Sequence, residues 1–285
     1  MLAARAVRAS MASPTPKAPR TPHPDTLVLS GGGVKGLAML GAVEKLRSEG
    51  VLSKVRTVVG TSAGALIGTL VATHRDFRGA LDVICTHGYK PDFDFARLAS
   101  GFGLDSGKSI ESLATALLAD LPPSITFADV RKMFGTTLIV CVTNVSKRRA
   151  EYLGPDTHPD MPVVLALRMT CSVPLYFSAV KFNDSWYVDG SIVDNFPCDW
   201  AAHHGAKHVV GIVARAVPSQ IRSFDAFIGA VVESAASNQP SSWADILDLQ
   251  LVGVVALHFG APAEELTRLF TLGVEQADVF VKKRL

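Results

Sequence analysis

Short apolar runs alternate with longer helical patterns along most of this chain. Four of these runs are rich in β-branched residues, which predicts buried strands at residues 26–29, 55–59, 137–143 and 209–213. After the first run, apolar residues at helical spacing predict a helix over residues 37–49, with Gly50 at its end. After the second run, an Ala-, Leu- and Ile-rich segment from Ala63 predicts another helix. Two successive strand–helix units predict neighbouring parallel strands whose carboxyl ends share one edge of a sheet.

The pattern predicts three parts of unequal size. Residues 1–24 hold four Lys or Arg, no Asp or Glu, and many Pro, Ser and Thr residues, which predicts a disordered basic leader. Residues 25–215 form the main body. Beyond Pro218 the pattern is helical, so residues 216–285 are expected to be a helical part packed on the same domain.

Other elements are predicted within the main body. Residues 74–134 are mostly helical, with one amphipathic helix over residues 109–119. Residues 162–171 predict a further helix, with Pro162 near its start. Residues 179–182 and 185–188 predict a hairpin that turns at residues 183–184.

Composition and charge exclude several classes of protein. The net charge is +2 and the body of the chain has no basic run, which argues against a nucleic-acid partner. The four cysteines are widely spaced, which predicts neither a disulfide framework nor a zinc site. The uncharged run over residues 57–73 is short and contains Gly, Ser and Thr, so no membrane-spanning helix is predicted. A cytoplasmic or peripheral-membrane location is expected, although the basic leader also has the composition of a mitochondrial presequence.

The turn between the second strand and its helix carries candidate chemistry. Residues 60–64 read Gly-Thr-Ser-Ala-Gly, an arrangement in which a strand turns sharply into a helix and presents a serine at the sheet edge. Ser62 is therefore a candidate nucleophile above the positive end of a helix dipole. The alternative is a crossing of small residues where a buried helix packs on the sheet.

The turn after the first strand is a glycine loop that admits two functional interpretations. Gly31, Gly33 and Gly36 fit a dinucleotide fingerprint, but that site needs an acidic residue about 20 positions later, and none lies between Val51 and Arg75. In the other interpretation, the backbone N–H groups of the loop form an oxyanion hole facing Ser62. A tight turn without a ligand is the third possibility.

A nucleophilic serine needs a proton acceptor, and the chain offers two kinds. Three histidines, His203, His204 and His208, are better explained as a helix end, and His258 as a buried core residue. Asp189 follows an apolar and aromatic strand, and partial burial would raise its pKa and make it a better base. The residues alone do not separate it from other late aspartates, namely Asp184, Asp194 and Asp199.

A cluster of apolar residues precedes the long central strand. Its members are Phe93, Phe95, Phe102 and Leu104. Core packing is the favoured interpretation, and an acyl pocket or a lid is the alternative.

Four ordered blocks together make the chain resemble the patatin-like phospholipase family. They are residues 30–36 (Ser-Gly-Gly-Gly-Val-Lys-Gly), residues 60–64, residues 170–174 (Thr-Cys-Ser-Val-Pro) with Phe177, and residues 189–191 (Asp-Gly-Ser) with Asn195 and Pro197. The resemblance covers roughly residues 25–215 and implies an α/β fold, a three-layer α/β/α arrangement with a mostly parallel central sheet. The family motif usually has Gly or Ala where this chain has Ser191.

The resemblance also implies a mechanism and a site. Ser62 would attack an acyl carbonyl and Asp189 would take and return the proton, without histidine, metal or cofactor. The oxyanion hole would come from Gly31, Gly32 and Gly33, chiefly the last two. The remaining motif glycines would be Gly36, Gly60, Gly64 and Gly190.

The expected activity is that of a serine lipid acyl hydrolase acting on phospholipids, lysophospholipids or acylglycerols at a membrane or micelle surface. Two alternatives stay open, a lipid transacylase and a non-catalytic lipid-binding module. Headgroup, acyl length and oligomeric state are not determined by the sequence.

Overall fold

The structure is a computed structural model that describes residues 23–216, 220–235 and 243–284. All of the predicted leader except His23 and Pro24 lies outside these ranges. The strands are β1 (Thr26–Leu29), β2 (Thr57–Thr61), β3 (Gly103–Asp105), β4 (Thr137–Asn144), β5 (Arg149–Leu153), β6 (Leu175–Phe177), β7 (Val180–Phe182), β8 (Ser185–Asp189), β9 (Val209–Ala216) and β10 (Asp245–Leu251). The helices are α1 (Gly36–Ser48), α2 (Ala63–Ala72), α3 (Phe77–His87), α4 (Arg97–Gly101), α5 (Lys108–Leu117), α6 (Phe127–Phe134), α7 (Val163–Thr170), α8 (Cys198–His203), α9 (Phe224–Ala235) and α10 (Ala263–Arg284).

A mostly parallel central sheet organises the molecule. Its strand order is β10-β9-β1-β2-β4-β8-β7, and β5 pairs with β4 outside this path. The pairs β10–β9, β9–β1, β1–β2 and β2–β4 are parallel, whereas the pairs β4–β5, β4–β8 and β8–β7 are antiparallel. A second sheet contains only β3 and β6.

Both faces of the central sheet are covered. Along β1, Leu27 and Leu29 belong to one hydrophobic cluster, which includes residues of helices α1, α2 and α10. Val28 belongs to a second cluster, which includes Cys198 and Ala201 of α8. This alternation places successive side chains on opposite faces of the sheet. The fold is therefore the three-layer α/β/α arrangement that the resemblance implied.

The helical prediction for residues 216–285 was wrong in one segment. Residues 245–251 form β10, which extends the central sheet by pairing in parallel with β9. The leucines of this segment favour a helix, but Leu247, Leu249 and Leu251 are buried and alternate with exposed residues, which is the period of a strand.

The last helix packs closely on the first. A Cβ at Gly41 of α1 would lie 1.9 Å from the Phe270 carbonyl oxygen, and one at Gly273 of α10 would lie 1.8 Å from the Ala38 carbonyl oxygen. The two glycines thus let the backbones of α1 and α10 approach each other at a distance that no side chain would allow.

Two predictions about apolar segments were also wrong. Phe93, Phe95 and Phe102 are exposed at 54%, 80% and 50%, so they do not pack in the core. His258 was expected in the core and is exposed. Both segments lie in irregular chain, where periodicity gives no guide to burial.

Candidate active site

The turn after β2 holds Ser62 in a strained conformation. Its φ of 53° and ψ of −126° are unfavourable for a residue with a side chain, and α2 begins immediately after it. The flanking glycines allow close approach: a Cβ at Gly60 would lie 2.6 Å from the Gly64 carbonyl oxygen, and one at Gly64 would lie 2.4 Å from the Ser30 carbonyl oxygen. The turn therefore has the geometry predicted from the Gly-x-Ser-x-Gly spacing.

The register of β4 explains how Asp189 reaches Ser62. Strand β4 is longer than β2 and pairs with β2 up to Thr61, which lies opposite Cys141. The next residue of β4, Val142, pairs with Asp189 at the carboxyl end of antiparallel β8. Because β5 pairs with the other edge of β4, β2 and β8 lie along the same edge. Their carboxyl ends meet there, 127 residues apart in sequence.

Ser62 and Asp189 form a direct hydrogen bond. The Ser62 hydroxyl donates to Asp189 Oδ2 at 2.7 Å, while the Ser191 hydroxyl and backbone N–H donate to Oδ1 at 2.6 and 2.9 Å. Asp189 is fully buried and Ser62 is nearly so. Burial raises the pKa of Asp189 to about 6, and hydrogen bonds from Ser191 and Ser62 oppose that rise. A carboxylate with such a pKa is a stronger base than an exposed one and is still ionised at neutral pH.

The histidines considered from the sequence make other contacts. The ring nitrogens of His203 and His204 lie 2.7 and 2.8 Å from carbonyl oxygens one turn earlier in α8. His204 also stacks on Trp200. Neither histidine is a hydrogen-bond partner of Ser62 or Asp189 in the part of the chain that the structure describes.

The glycine loop faces Ser62 but does not offer all three of the predicted N–H groups. A Cβ at Gly31 would lie 3.4 Å from Ser62 Cβ, so the two turns are in contact. The Gly31 N–H donates to the Asn195 carbonyl oxygen at 3.0 Å, which makes Gly31 unavailable as an oxyanion donor and corrects that prediction. Among the described residues, none accepts a hydrogen bond from the N–H of Gly32 or Gly33. These two groups remain available for a ligand.

The other motif glycines allow close packing around the two turns. A Cβ at Gly36 would lie 2.9 Å from Ala63 Cβ, and one at Gly190 would lie 2.4 Å from the Cys141 carbonyl oxygen. Neither position has room for a side chain without movement of its neighbours.

Three contacts at the site could not be found by reasoning on the sequence. Thr170 accepts a hydrogen bond from the Ser62 N–H at 2.8 Å and donates to the Cys141 carbonyl oxygen. Lys35 is buried and donates to Glu233 of α9 at 2.6 Å. Thr170 lies in the block at residues 170–174, and Lys35 lies in the glycine loop. The motifs therefore indicated that these two positions belong to the site, but they did not indicate which residues Thr170 and Lys35 contact.

Ser62 lines an apolar cavity of about 280 Å³. The cavity follows α2 for two turns, because Ala63, Leu66, Ile67 and Leu70 all line it. Its opposite walls come from α3, α5, α10 and the chain around Phe177 and Phe259.

A larger cavity, about 850 Å³, lies elsewhere. It reaches the amino ends of β1, β2 and β4 and is lined by many charged and polar groups. Neither Ser62 nor Asp189 lines it. The larger of these two cavities is therefore not the one next to Ser62 and Asp189.

Residues 23–216, 220–235 and 243–284 contain neither a cluster of metal-ligand side chains nor a membrane-spanning helix. No three His, Cys, Asp or Glu side chains gather there as metal ligands would. No helix in these ranges combines the length and apolar character needed to cross a bilayer.

Solved structures of low sequence identity share the fold. VipD from Legionella pneumophila superposes with a TM-score of 0.60 at 17% identity, covering 93% of this chain and 68% of that one. Human GIVD cytosolic phospholipase A2, in complex with a fluorophosphonate inhibitor, superposes with a TM-score of 0.53 at 10% identity, covering 90% and 58%.

Curated relatives match over most of the same region. A "Probable lipid hydrolase 463L" from Invertebrate iridescent virus 6 is 30% identical over 191 residues, 64% of this chain and 65% of that protein. The "Uncharacterized protein YqhO" of Bacillus subtilis is 27% identical over 90% of this chain and 97% of its own length. "Lysophospholipase nte1" of Aspergillus fumigatus is 30% identical over 65% of this chain, which spans only 12% of that protein. Residues 27–202 match the family described as Patatin-like phospholipase, and the chain belongs to that family.

Proposed function

We propose that this protein is a serine lipid acyl hydrolase that cleaves fatty acyl esters through an acyl-enzyme on Ser62. The observation that carries the proposal is the 2.7 Å hydrogen bond from Ser62, which lines an apolar cavity, to buried Asp189. Membership of the patatin-like phospholipase family and relatives named as a lipid hydrolase and a lysophospholipase support it.

The first half-reaction forms the acyl-enzyme. Asp189 Oδ2 accepts the Ser62 proton as Ser62 Oγ attacks the ester carbonyl carbon. The carbonyl oxygen becomes negative, and the free N–H groups of Gly32 and Gly33 donate to it. The tetrahedral intermediate collapses when the C–O bond of the leaving alcohol breaks and Asp189 returns the proton to that oxygen.

The second half-reaction releases the fatty acid. A water molecule gives its proton to Asp189 and attacks the acyl carbon, and the Ser62 ester then breaks as Asp189 reprotonates Ser62 Oγ. The fatty acyl chain lies in the apolar cavity along α2, where each buried methylene contributes about 0.8 kcal/mol.

The substrates proposed are phospholipids, lysophospholipids or acylglycerols, and the exposed aromatic residues suggest how such lipids are reached. Phe93 contacts Tyr176, which in turn contacts Phe177 and Phe259 of the cavity wall. Phe93 and Phe95 are 54% and 80% exposed, and an exposed phenyl ring is stabilised when it leaves water for the apolar part of a bilayer surface. The proposal therefore includes peripheral contact with a membrane or micelle through Phe93 and Phe95.

The decisive experiment labels the protein with a fluorophosphonate probe and measures fatty acid release from a lipid panel in detergent micelles. Wild type should be labelled and active, and Ser62→Ala should lose both. Ser109→Ala is the matched control, because Ser109 lines the same cavity but donates to the Lys90 carbonyl oxygen instead of a carboxylate. Retained labelling or hydrolysis by Ser62→Ala would overturn the proposal.

The same experiment separates the two alternatives. Addition of glycerol or a lysolipid as acceptor would divert the acyl group to a new ester if the protein is a transacylase. Lipid binding without labelling or turnover would instead indicate a non-catalytic binding module.

Membrane contact has its own test. Sedimentation with phosphatidylcholine vesicles should fall on Phe95→Ser and stay unchanged on Met133→Ser, since both residues are exposed and only Phe95 belongs to the proposed surface. Equal sedimentation of both variants with wild type would contradict the contact.

A further inference from the structure

The two oxygens of the Asp189 carboxylate have different partners. Among the residues that the structure describes, Oδ2 accepts a hydrogen bond from the Ser62 hydroxyl alone, whereas Oδ1 accepts from both the hydroxyl and the N–H of Ser191. Ser191 is 5% exposed and Asp189 is fully buried, so neither contact competes freely with solvent. Ser191 thus binds Oδ1, the carboxylate oxygen that does not accept from Ser62.

The hydroxyl of Ser191 is a separate contribution from its backbone. An alanine or glycine at position 191 keeps the N–H bond to Oδ1 but lacks the hydroxyl bond at 2.6 Å. Both small residues fit the space that serine occupies, and they are the residues usual in the motif that this chain resembles. The extra donor is therefore a property of this chain that can be removed without filling or distorting the site.

We propose that the Ser191 hydroxyl is a positioning group, which orients Asp189 Oδ2 toward Ser62 and sets the acid limit of the reaction. The inference rests on the proposed function, because Asp189 must act as the base. Removal of the hydroxyl leaves a buried carboxylate with one donor fewer, so its ionised form is less stable and its rotation less restricted.

Other titratable groups around Asp189 do not account for such a limit. The thiols of Cys141 on β4 and Cys171 after α7 have pKa values raised by burial, so they stay neutral through the acid range. Lys35 and Glu233 line a second, small cavity of about 40 Å³ that Ser62 and Asp189 also line, and they are paired with each other. Arg168 of α7 donates to Ser172 and to the carbonyl oxygens of Ser106 and Ser178. Burial also raises the pKa of Asp194, but its carboxylate accepts from Tyr152, whereas Ser62 donates to Asp189.

The test is the rate of fluorophosphonate labelling as a function of pH, together with kcat/KM for a micellar ester. For Ser191→Ala we expect the acid midpoint of both profiles to move up by about 1 pH unit. The rate should fall about tenfold at pH 5.5 and less than threefold at pH 8.5. Ser191→Gly should behave in the same way, and Ser185→Ala, a buried serine on β8 without contact to Asp189, should match wild type.

The outcomes separate this inference from the proposed function. An unchanged midpoint with a uniform loss at every pH would show a merely structural role and overturn the inference alone. Absence of labelling in wild type would overturn both. Retention of the wild-type midpoint by Ser191→Thr, which keeps the hydroxyl, would support the assignment to that group.

Discussion

The two turns that follow β1 and β2 are both glycine-containing connections from a strand to a helix, but they present different groups. The first presents backbone N–H groups and the second presents a side-chain hydroxyl. Each joins a parallel strand to a helix at the same sheet edge, and each contains a residue at positive φ, Gly33 at 55° and Ser62 at 53°. In the first turn that residue is a glycine, and the turn leaves two N–H groups free. In the second turn it is a serine, and its N–H is bound by Thr170.

The difference shows how each turn is adapted to what it presents. A turn that presents backbone donors has no need of a side chain, so glycine can relieve the strain at positive φ. A turn that presents a hydroxyl must keep its Cβ, so the strain remains and neighbouring contacts have to hold the conformation. Ser62 is held by Thr170 at its N–H and by Asp189 at its hydroxyl.

The largest effect is expected when the second turn is given the residue type of the first. Ser62→Gly and Ser62→Ala should both lower ester turnover by about 10⁴-fold or more. The glycine variant should be more stable than the alanine variant by about 1 kcal/mol, because only glycine relieves the strain. Turnover assays and urea unfolding check the two parts. Equal stability of the two variants would mean that the turn is not strained.

Asp189→Asn should remove the base that only the second turn requires, lowering turnover by about 10³-fold or more. The folded-state pKa of Asp189 lies above the ordinary value of 3.8, so the folded state binds the proton more tightly than the unfolded state. The stability of wild type therefore falls as the pH rises from about 4 to about 6.

The asparagine variant lacks this penalty, since it cannot ionise. Its free energy of unfolding, relative to wild type, should increase by about 2 kcal/mol between pH 4 and pH 7. Denaturant titrations across that range give the measurement. A constant difference would contradict the assigned burial effect.

Gly33→Ala tests the first turn. A Cβ there would lie 2.1 Å from the Ala256 carbonyl oxygen at a φ of +55°, so stability should fall by about 3 kcal/mol and turnover about 100-fold. Gly50→Ala is the control, because Gly50 also has a positive φ of 71° but has no atom within 4 Å of its Cβ position. Gly50→Ala should lower the free energy of unfolding by about 1 kcal/mol and leave turnover unchanged. Similar losses in both variants would show that the contact with Ala256 is unimportant.

Thr170→Val should have the smallest effect of this series. It leaves the Ser62 N–H and the Cys141 carbonyl oxygen without their shared partner, which should cost about 1–2 kcal/mol of stability. Turnover should fall about tenfold, because the turn is held less firmly. Thermal unfolding and kcat/KM measure the two effects. Wild-type values for both would show that the Thr170 hydrogen bond is not needed to hold the turn at Ser62.

Local patterns predicted the two turns but not what surrounds them. The strand–helix units and the Gly-x-Ser-x-Gly spacing are encoded within about 15 residues, and the structure confirms both. The sequence pattern alone did not distinguish Asp189 from three other late aspartates as the proton acceptor. The pairing of β4 with both β2 and β8, which brings Asp189 to Ser62, is a long-range feature that no local pattern encodes. The same limit explains why Gly31 was expected as a donor: its acceptor, Asn195, is distant in sequence.

Burial in irregular segments was the other limit. The sequence does not show whether Phe93 and Phe95 pack inward, since neither lies in a regular element. The sequence of β10 does alternate Leu with polar residues, which indicates a strand. The high leucine content of the segment favoured a helix instead, and the alternation was overlooked.

The hydrogen bond from the Val34 N–H to the Ala256 carbonyl oxygen has a consequence for the glycine loop. The loop follows β1, whereas Ala256 lies between β10 and α10, so two segments far apart in sequence have to meet before the loop is supported. A local opening of the chain around Ala256 would therefore loosen the loop beside Ser62, although no residue of the loop itself had changed.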